Sequence, residues 1–220
     1  MRILNPYFSR LILLLISATL AGPGQADEPE LCGAFSDEMV GGGVVATMVR
    51  AAEDGQLYRI DKAASRMGFC VGGTLLGEVH GNFGDFEGGL ALLPNADPGR
   101  ALVLVKTNSL ETDNGLTNVV AKGENFFDVD RYPEILFVGT DFEWTSASAG
   151  RLHGNLTMRG TTRPVTFEVE FTQRASAEDW IVVTAKTDVN RTDFGMTGLE
   201  KIVSDRVRLC LRVAARRVDS

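Results

Sequence analysis

Residues 151–172 read RLHGNLTMRGTTRPVTFEVEFT, and within them two alternating runs meet across a turn. Leu152, Leu156 and Met158 alternate with Arg151, His153, Asn155, Thr157 and Arg159. Beyond Gly160-Thr161-Thr162-Arg163-Pro164, Val165, Phe167, Val169 and Phe171 alternate with Thr166, Glu168, Glu170 and Thr172. Successive side chains of a strand point to opposite faces, so apolar residues at every second position mark a strand with one buried face. Two such runs around a short turn make an antiparallel hairpin. The pattern recurs outward from this hairpin. Met67, Phe69 and Val71 alternate with Gly68, Cys70 and Gly72, and Val207, Leu209, Leu211 and Val213 with Arg206, Arg208, Cys210 and Arg212. Weaker strand signals cover Glu78–Phe83, Phe86–Leu93, Ala101–Thr107, Glu134–Trp144 and Ile181–Val189. Pro94-Asn95-Ala96-Asp97-Pro98-Gly99 reads as a loop. Within this region only Asn114–Gly123 reads as a helix, with Leu116, Val119 and Val120 on one side. So many strands with one short helix predict an all-β protein. A closed antiparallel barrel is favoured because closure leaves no unpaired edge; a two-sheet sandwich is the competing arrangement.

Composition supports a globular domain. The 220 residues are 44% apolar and 23% charged, as in soluble proteins, and suffice for one ordinary domain with an N-terminal extra. Glycine outnumbers proline 24 to 7, and single glycines in alternating sequence mark turns, bulges and bent strands. The formal charge of −7 argues against nucleic acid as a partner, since an acidic chain gains nothing from counterion release at phosphates. The first residues read as an address. Arg2 and Arg10 precede LILLLISATL at 11–20, too short for a bilayer span of about 20 residues. The following AGPGQA places Gly24 and Ala26 as signal peptidase requires. A signal peptide over 1–26 and export to the periplasm are expected, with an uncleaved anchor as the alternative. Removing it takes away two arginines and no acids, leaving −9. Residues 27–56 form an N-terminal extension of undetermined structure; Gly41-Gly42-Gly43 interrupts it, and Val44–Ala52 suits either a helix or a strand.

Export places Cys32, Cys70 and Cys210 in an oxidising compartment. Cys70 and Cys210 sit opposite the apolar set of their strands, so both belong outside the wall. If the first and last strands meet, a Cys70–Cys210 bridge would close a loop of about 140 residues, adding roughly 3–5 kcal/mol in the chain-entropy model. Two free outer thiols, or pairing of either with Cys32, are the alternatives. Chemistry is scarce elsewhere. The chain has no Cys-x-x-Cys, no Gly-x-Ser-x-Gly elbow, no phosphate-cradling Gly-x-x-x-x-Gly-Lys and no His-Glu-x-x-His. His80 and His153 lie among polar neighbours on alternating strands, Asp128 and Asp130 read as a solvated pair, and glycine-rich 81–89 opens no helix. No catalytic activity and no metal are expected. What is abundant is phenylalanine, 12 residues; inside a small barrel such side chains either fill the interior or line a cavity for one apolar ligand.

Several segments are more specific than this. Tyr58-Arg-Ile-Asp61-Lys-Ala-Ala-Ser65-Arg-Met-Gly-Phe69 resembles the opening strand of the YceI-like polyisoprenoid-binding family. Four further blocks follow in that family's order: Gly81-Asn-Phe83-Gly-Asp-Phe86-Glu-Gly88; Asn125-Phe126-Phe127-Asp128-Val-Asp-Arg-Tyr132-Pro133 with Phe137; Gly154-Asn-Leu156-Thr-Met-Arg159-Gly160-Thr-Thr-Arg163-Pro164-Val165-Thr-Phe167; and Asn190-Arg191-Thr-Asp193-Phe194-Gly195-Met196. The resemblance implies an extended antiparallel lipocalin-like barrel over 57–217 with a tunnel for a prenyl chain. It further implies a periplasmic carrier of an isoprenoid-type lipid, a polyprenol or isoprenoid quinone, with no other cofactor. A membrane quinone or cytochrome protein is the implied partner. The alternative is a ligand-free barrel that docks a membrane redox protein. The expected lining is Phe69, Val71, Phe83, Phe86, Phe126, Phe127, Ile135, Phe137, Leu156, Met158, Phe167, Phe194 and Met196. Two departures concern the headgroup: the family usually has histidine where this chain has Ala64, and again near Val71-Gly72-Gly73.

Overall fold

Alternation assigns side chains to faces, and hydrogen-bonded register then decides which strands meet. The structure, a computed structural model, describes residues 44–54, 56–73, 77–92, 100–173 and 179–218. The leader, Cys32 and the loop at 94–99 lie outside the described residues. The strands are β1 (Leu57–Ile60), β2 (Arg66–Gly73), β3 (Gly77–Phe83), β4 (Phe86–Ala91), β5 (Arg100–Lys106) and β6 (Leu110–Thr112). After these come β7 (Glu134–Trp144), β8 (Ala149–Met158), β9 (Thr161–Gln173), β10 (Trp180–Asn190) and β11 (Val203–Arg217). Helix α1 (Val44–Glu53) precedes β1 and α2 (Gly115–Lys122) joins β6 to β7, with 3₁₀ turns at Thr107–Ser109 and Arg191–Phe194.

Three pairs of short strands are each one strand bent in the middle. β11 pairs with β1 through Ala215–Arg217 and with β2 through residues 203–212, along the same edge. Likewise β4 pairs with β5 while β3 pairs with β6. Taken so, eight strands run up and down, each beside its sequence neighbour, and the first meets the last. The result is a closed antiparallel barrel and not a two-sheet sandwich. The opening bend is pinned by Ser65, 1% exposed. Its hydroxyl donates to the Ala214 carbonyl at 3.2 Å and accepts the Ala214 N–H at 3.0 Å. Asp61 N–H adds a bond to the same carbonyl at 2.8 Å. The side chain thus satisfies β11 where the backbone of the first strand turns away.

Both helices have local causes. Asn114 caps α2 by accepting the Thr117 N–H at 2.9 Å, the usual service of an asparagine before a first turn. Helix α1 settles the ambiguity of Val44–Ala52 and brings the helix count among the described residues to two, where the sequence predicted one. Met48, Ala51 and Ala52 pack on Leu57, Ala91, Leu102, Leu104 and Val138 outside the wall. Ala101, Val103 and Val105 meanwhile face inward, so the ALVLV run of β5 is apolar on both faces. Ser65→Ala orphans a buried N–H, which costs about 1–3 kcal/mol. Thermal unfolding should show the melting temperature lowered by roughly 3–10 °C; an unchanged midpoint would mean that the hydroxyl does not hold the bend.

Candidate functional site

The inward side chains of the barrel do not close on one another. They enclose a cavity of about 510 Å³. One end is bounded by Leu90, Leu92, Arg100, Phe142 and Phe171, beside the β4–β5, β7–β8 and β9–β10 connections. The other is bounded by Thr112, Asn114, Leu116, Thr117, Val120, Ala121, Leu199 and Val203. The cavity therefore runs the length of the barrel. Between the ends its wall is aliphatic and aromatic, with Val183, Ala185, Leu209, Leu211 and Val213 facing Val103, Phe137, Leu156 and Phe167.

Inward glycines keep rings flat against the wall. Phe69 lies directly over its cross-strand partner Gly81, where an added Cβ would sit 2.3 Å from the ring. At Gly154 a Cβ would come within 2.7 Å of the Phe137 ring. Such a ring covers bare backbone and leaves the axis open. At the α2 end Phe69, Phe83 and Phe127 form a triangle with centroids 5.5–6.1 Å apart. At the far end Phe142 and Phe171 pack against Trp144 at 4.7 and 5.0 Å.

Helix α2 forms one side of a mouth. None of its residues is buried, and Leu116 and Val119 are 79% and 71% exposed. The turn after α2 folds back, with Phe127 N–H on the Ala121 carbonyl and Gly198 N–H on the Asn125 carbonyl, both 3.0 Å. Arg159, from the β8–β9 turn, donates to the carbonyls of Glu124 and Phe126. Among the described residues only two charged side chains reach the cavity, Arg100 at one end and Arg191 at the other.

Eleven of the thirteen expected lining residues border the cavity: Phe69, Val71, Phe83, Phe126, Phe127, Ile135, Phe137, Leu156, Met158, Phe167 and Met196. Phe86 and Phe194 do not. Both are buried in the surrounding core, at 5% and 2% exposure, and Phe194 belongs to a 3₁₀ turn and not to a wall strand. The expectation missed Phe142, Phe171 and the inward sets of β10 and β11, though the same alternation marked them. Ala64 lies in the β1–β2 bend, away from the cavity, whereas Gly73 pairs with Val203 at the α2 mouth.

The cysteines flank the closing seam without a bridge. Cys70 lies opposite Arg208, and Cys210 opposite Gly68, so the two are diagonal neighbours. Diagonal positions are about 7–8 Å apart, beyond the usual reach of a disulfide, and both thiols are free. The expected Cys70–Cys210 bridge is therefore absent. Burial, reinforced by a hydrogen bond to Glu78 and its charge, raises the Cys70 thiol to about 11. Among the described residues no three His, Cys, Asp or Glu side chains group to hold a metal. His153 shares a hydrogen bond with Thr166 at 2.9 Å, and His80 lies 3.9 Å from Glu78.

A closed up-and-down barrel around an apolar tunnel defines a class of small-ligand barrels. The chain belongs to the YceI-like family, whose domain model matches residues 58–215. It is 30% identical over 163 residues to a UPF0312 protein of Pseudomonas putida, covering 71% of this chain and 80% of that one. A UPF0312 protein of Yersinia enterocolitica is 27% identical over 179 residues, with 78% and 88% covered. The fold is similar to that of BcnA of Burkholderia cenocepacia: TM-score 0.64, 20% identity, 70% of this chain and 98% of that one. It is also similar to a polyisoprenoid binding domain of Saccharophagus degradans, with TM-score 0.58, 16% identity and 73% and 98% covered.

A thiol raised to about 11 is only about one part thiolate in a thousand at pH 8. In a Cys32→Ser/Cys210→Ser variant, iodoacetamide should label Cys70 slowly at pH 8 and roughly tenfold faster per pH unit up to pH 10. Labelling at pH 8 as fast as that of a peptide thiol would contradict this environment.

Proposed function

We propose that the chain is an exported periplasmic carrier for a long single-chain lipid of the isoprenoid type, a polyprenol or isoprenoid quinone, and that it performs no chemistry of its own. The observation that carries this is the apolar cavity running from α2 to the Phe142–Phe171 end. Its volume of about 510 Å³ falls within the range of roughly 300–1,000 Å³ typical of small-molecule sites. Each buried methylene contributes about 0.8 kcal/mol, so a few prenyl units provide tight holding without any charged clamp. A related barrel is named for polyisoprenoid binding, which supports the same choice. The leader-like residues 1–26 support the compartment. A ligand-free docking module would have no use for a continuous space along its axis.

Trp144, stacked on Phe171 at the far end, reports on occupancy. Polyprenol or quinone added to delipidated protein should bind one to one, change Trp144 emission, and raise the melting temperature by roughly 5–10 °C at about 100 times Kd. Leu156→Trp, which fills the middle of the tunnel, should weaken binding at least tenfold while the barrel still folds. Failure of saturating polyprenol and quinone to move either signal would refute the carrier function.

A further inference from the structure

The outside of the closing seam carries a row of arginines that the tunnel does not use. Val207, Leu209, Leu211 and Val213 of β11 border the cavity, so Arg206, Arg208, Arg212 and Arg216 point outward. All four are exposed. At about 3.3 Å per residue the row is about 33 Å long. Arg66 of β2 stands directly opposite Arg212, and Arg59 of β1 directly opposite Arg216. Like charges facing each other across a ladder weaken the sheet that carries them, yet this pairing falls twice on the seam that closes the barrel.

The row is only partly neutralised. Asp188 bonds Arg206 at 2.6 Å and Arg208 at 3.1 Å. Arg66, Arg212 and Arg216 meet no carboxylate among the described residues. Arg66 donates to the Ser65 carbonyl at 2.7 Å and Arg212 to the Ala64 carbonyl at 2.8 Å. Arg216 lies over Trp180, 4.4 Å from the ring centroid. Those contacts steer the guanidinium groups and leave the charge in place. Lys186 of β10 stands opposite Cys210 on one side and Glu168 on the other. Beyond it the wall turns acidic at the exposed Glu168 and Glu170 of β9, as it does at Glu78 of β3 on the opposite flank. Positive charge is thus confined to one seam of a chain whose formal charge is −7.

What the row has, and what it lacks, defines its partner. Arginine forks match the oxygens of phosphates and carboxylates. A protein interface adds an apolar core to such contacts. None of the large exposed apolar side chains, Leu116, Val119, Val120, Trp144 and Leu199, lies on this seam. A convex wall meets a flat surface along a narrow band, which a row one strand wide matches; a partner moulded around the barrel would also meet the flanking glutamates. We infer that the outer seam of β11 docks the barrel side-on to an anionic bilayer surface, with lipid phosphates against the arginines. The docking surface is separate from the tunnel and does not depend on what the tunnel holds.

The test is sedimentation of the purified protein with vesicles of phosphatidylglycerol and phosphatidylcholine in equal parts, against phosphatidylcholine alone. The wild-type protein should bind the anionic vesicles at least tenfold more tightly, and the difference should shrink as salt rises. Each arginine near such a surface contributes about fivefold, so Arg66→Gln/Arg212→Gln/Arg216→Gln should abolish the preference. Its melting temperature should be unchanged or raised, because a facing pair of like charges is removed. Arg131→Gln/Arg163→Gln/Lys201→Gln, which changes the net charge equally away from the seam, should keep the preference. Equal wild-type binding to both vesicles would overturn the inference, as would a preference that survives the seam substitutions or is lost equally in the second variant. Binding of soluble polyglutamate but not of vesicles would assign the row to an acidic protein instead and likewise overturn it. The wild-type comparison decides the matter even if the seam variant fails to fold.

Discussion

The structure depends on hydrogen bonding along both edges of β11. From Arg206 to Arg216 one edge is paired with β10, while the other serves β2 and then β1. A single strand with three partners turns an open meander into a ring, and a ring has no edge to expose. Closure has a geometric requirement: the opening strand must bend midway to follow β11 around. Ser65 makes that bend tolerable by giving Ala214 the bonds that the departing backbone no longer supplies.

An eight-stranded ring is just wide enough for side chains to fill it, or for one ligand to replace some of them. Which outcome follows depends on how the inward rings lie. Phe69 over Gly81 and Phe137 over Gly154 press flat where longer neighbours would have pushed them across the axis. The space left is apolar along its middle and polar only at its ends. That distribution favours a ligand with a long inert body and one polar terminus. Charge elsewhere stays on the outer wall, where Asp188 binds Arg206 and Arg208 at 2.6 and 3.1 Å. Those two contacts hold the Asp188 carboxyl below its ordinary value and add to the pairing of β10 with β11.

Much of this was legible in residue order, and the failures have definite causes. The hairpin of β8 and β9 stood out because one face is wet and the other apolar. The ALVLV run of β5 did not alternate because α1 covers its outer face, a contact that no local pattern could announce. Parity along a strand correctly put Cys70 and Cys210 outside the wall at a shared seam. It could not supply the register, and an offset of two residues separates bonded from unbonded thiols. Likewise, alternation says that Phe86 faces inward but not whether its ring meets a cavity or other side chains. Arg191 was visible only as part of the Asn190–Met196 block. Its burial depends on carbonyls of residues 196, 203 and 204, which tertiary structure alone brings around it.

The central claim is that the barrel interior is a lipid site and not an imperfectly filled core. Intact-mass measurement under gentle conditions, on protein purified without detergent from its native cells, tests it most directly. The account predicts one apolar adduct per chain, of prenyl-lipid mass, that disappears on solvent extraction while the barrel stays folded. A bare chain mass from freshly isolated protein, unchanged after exposure to such lipids, would contradict it.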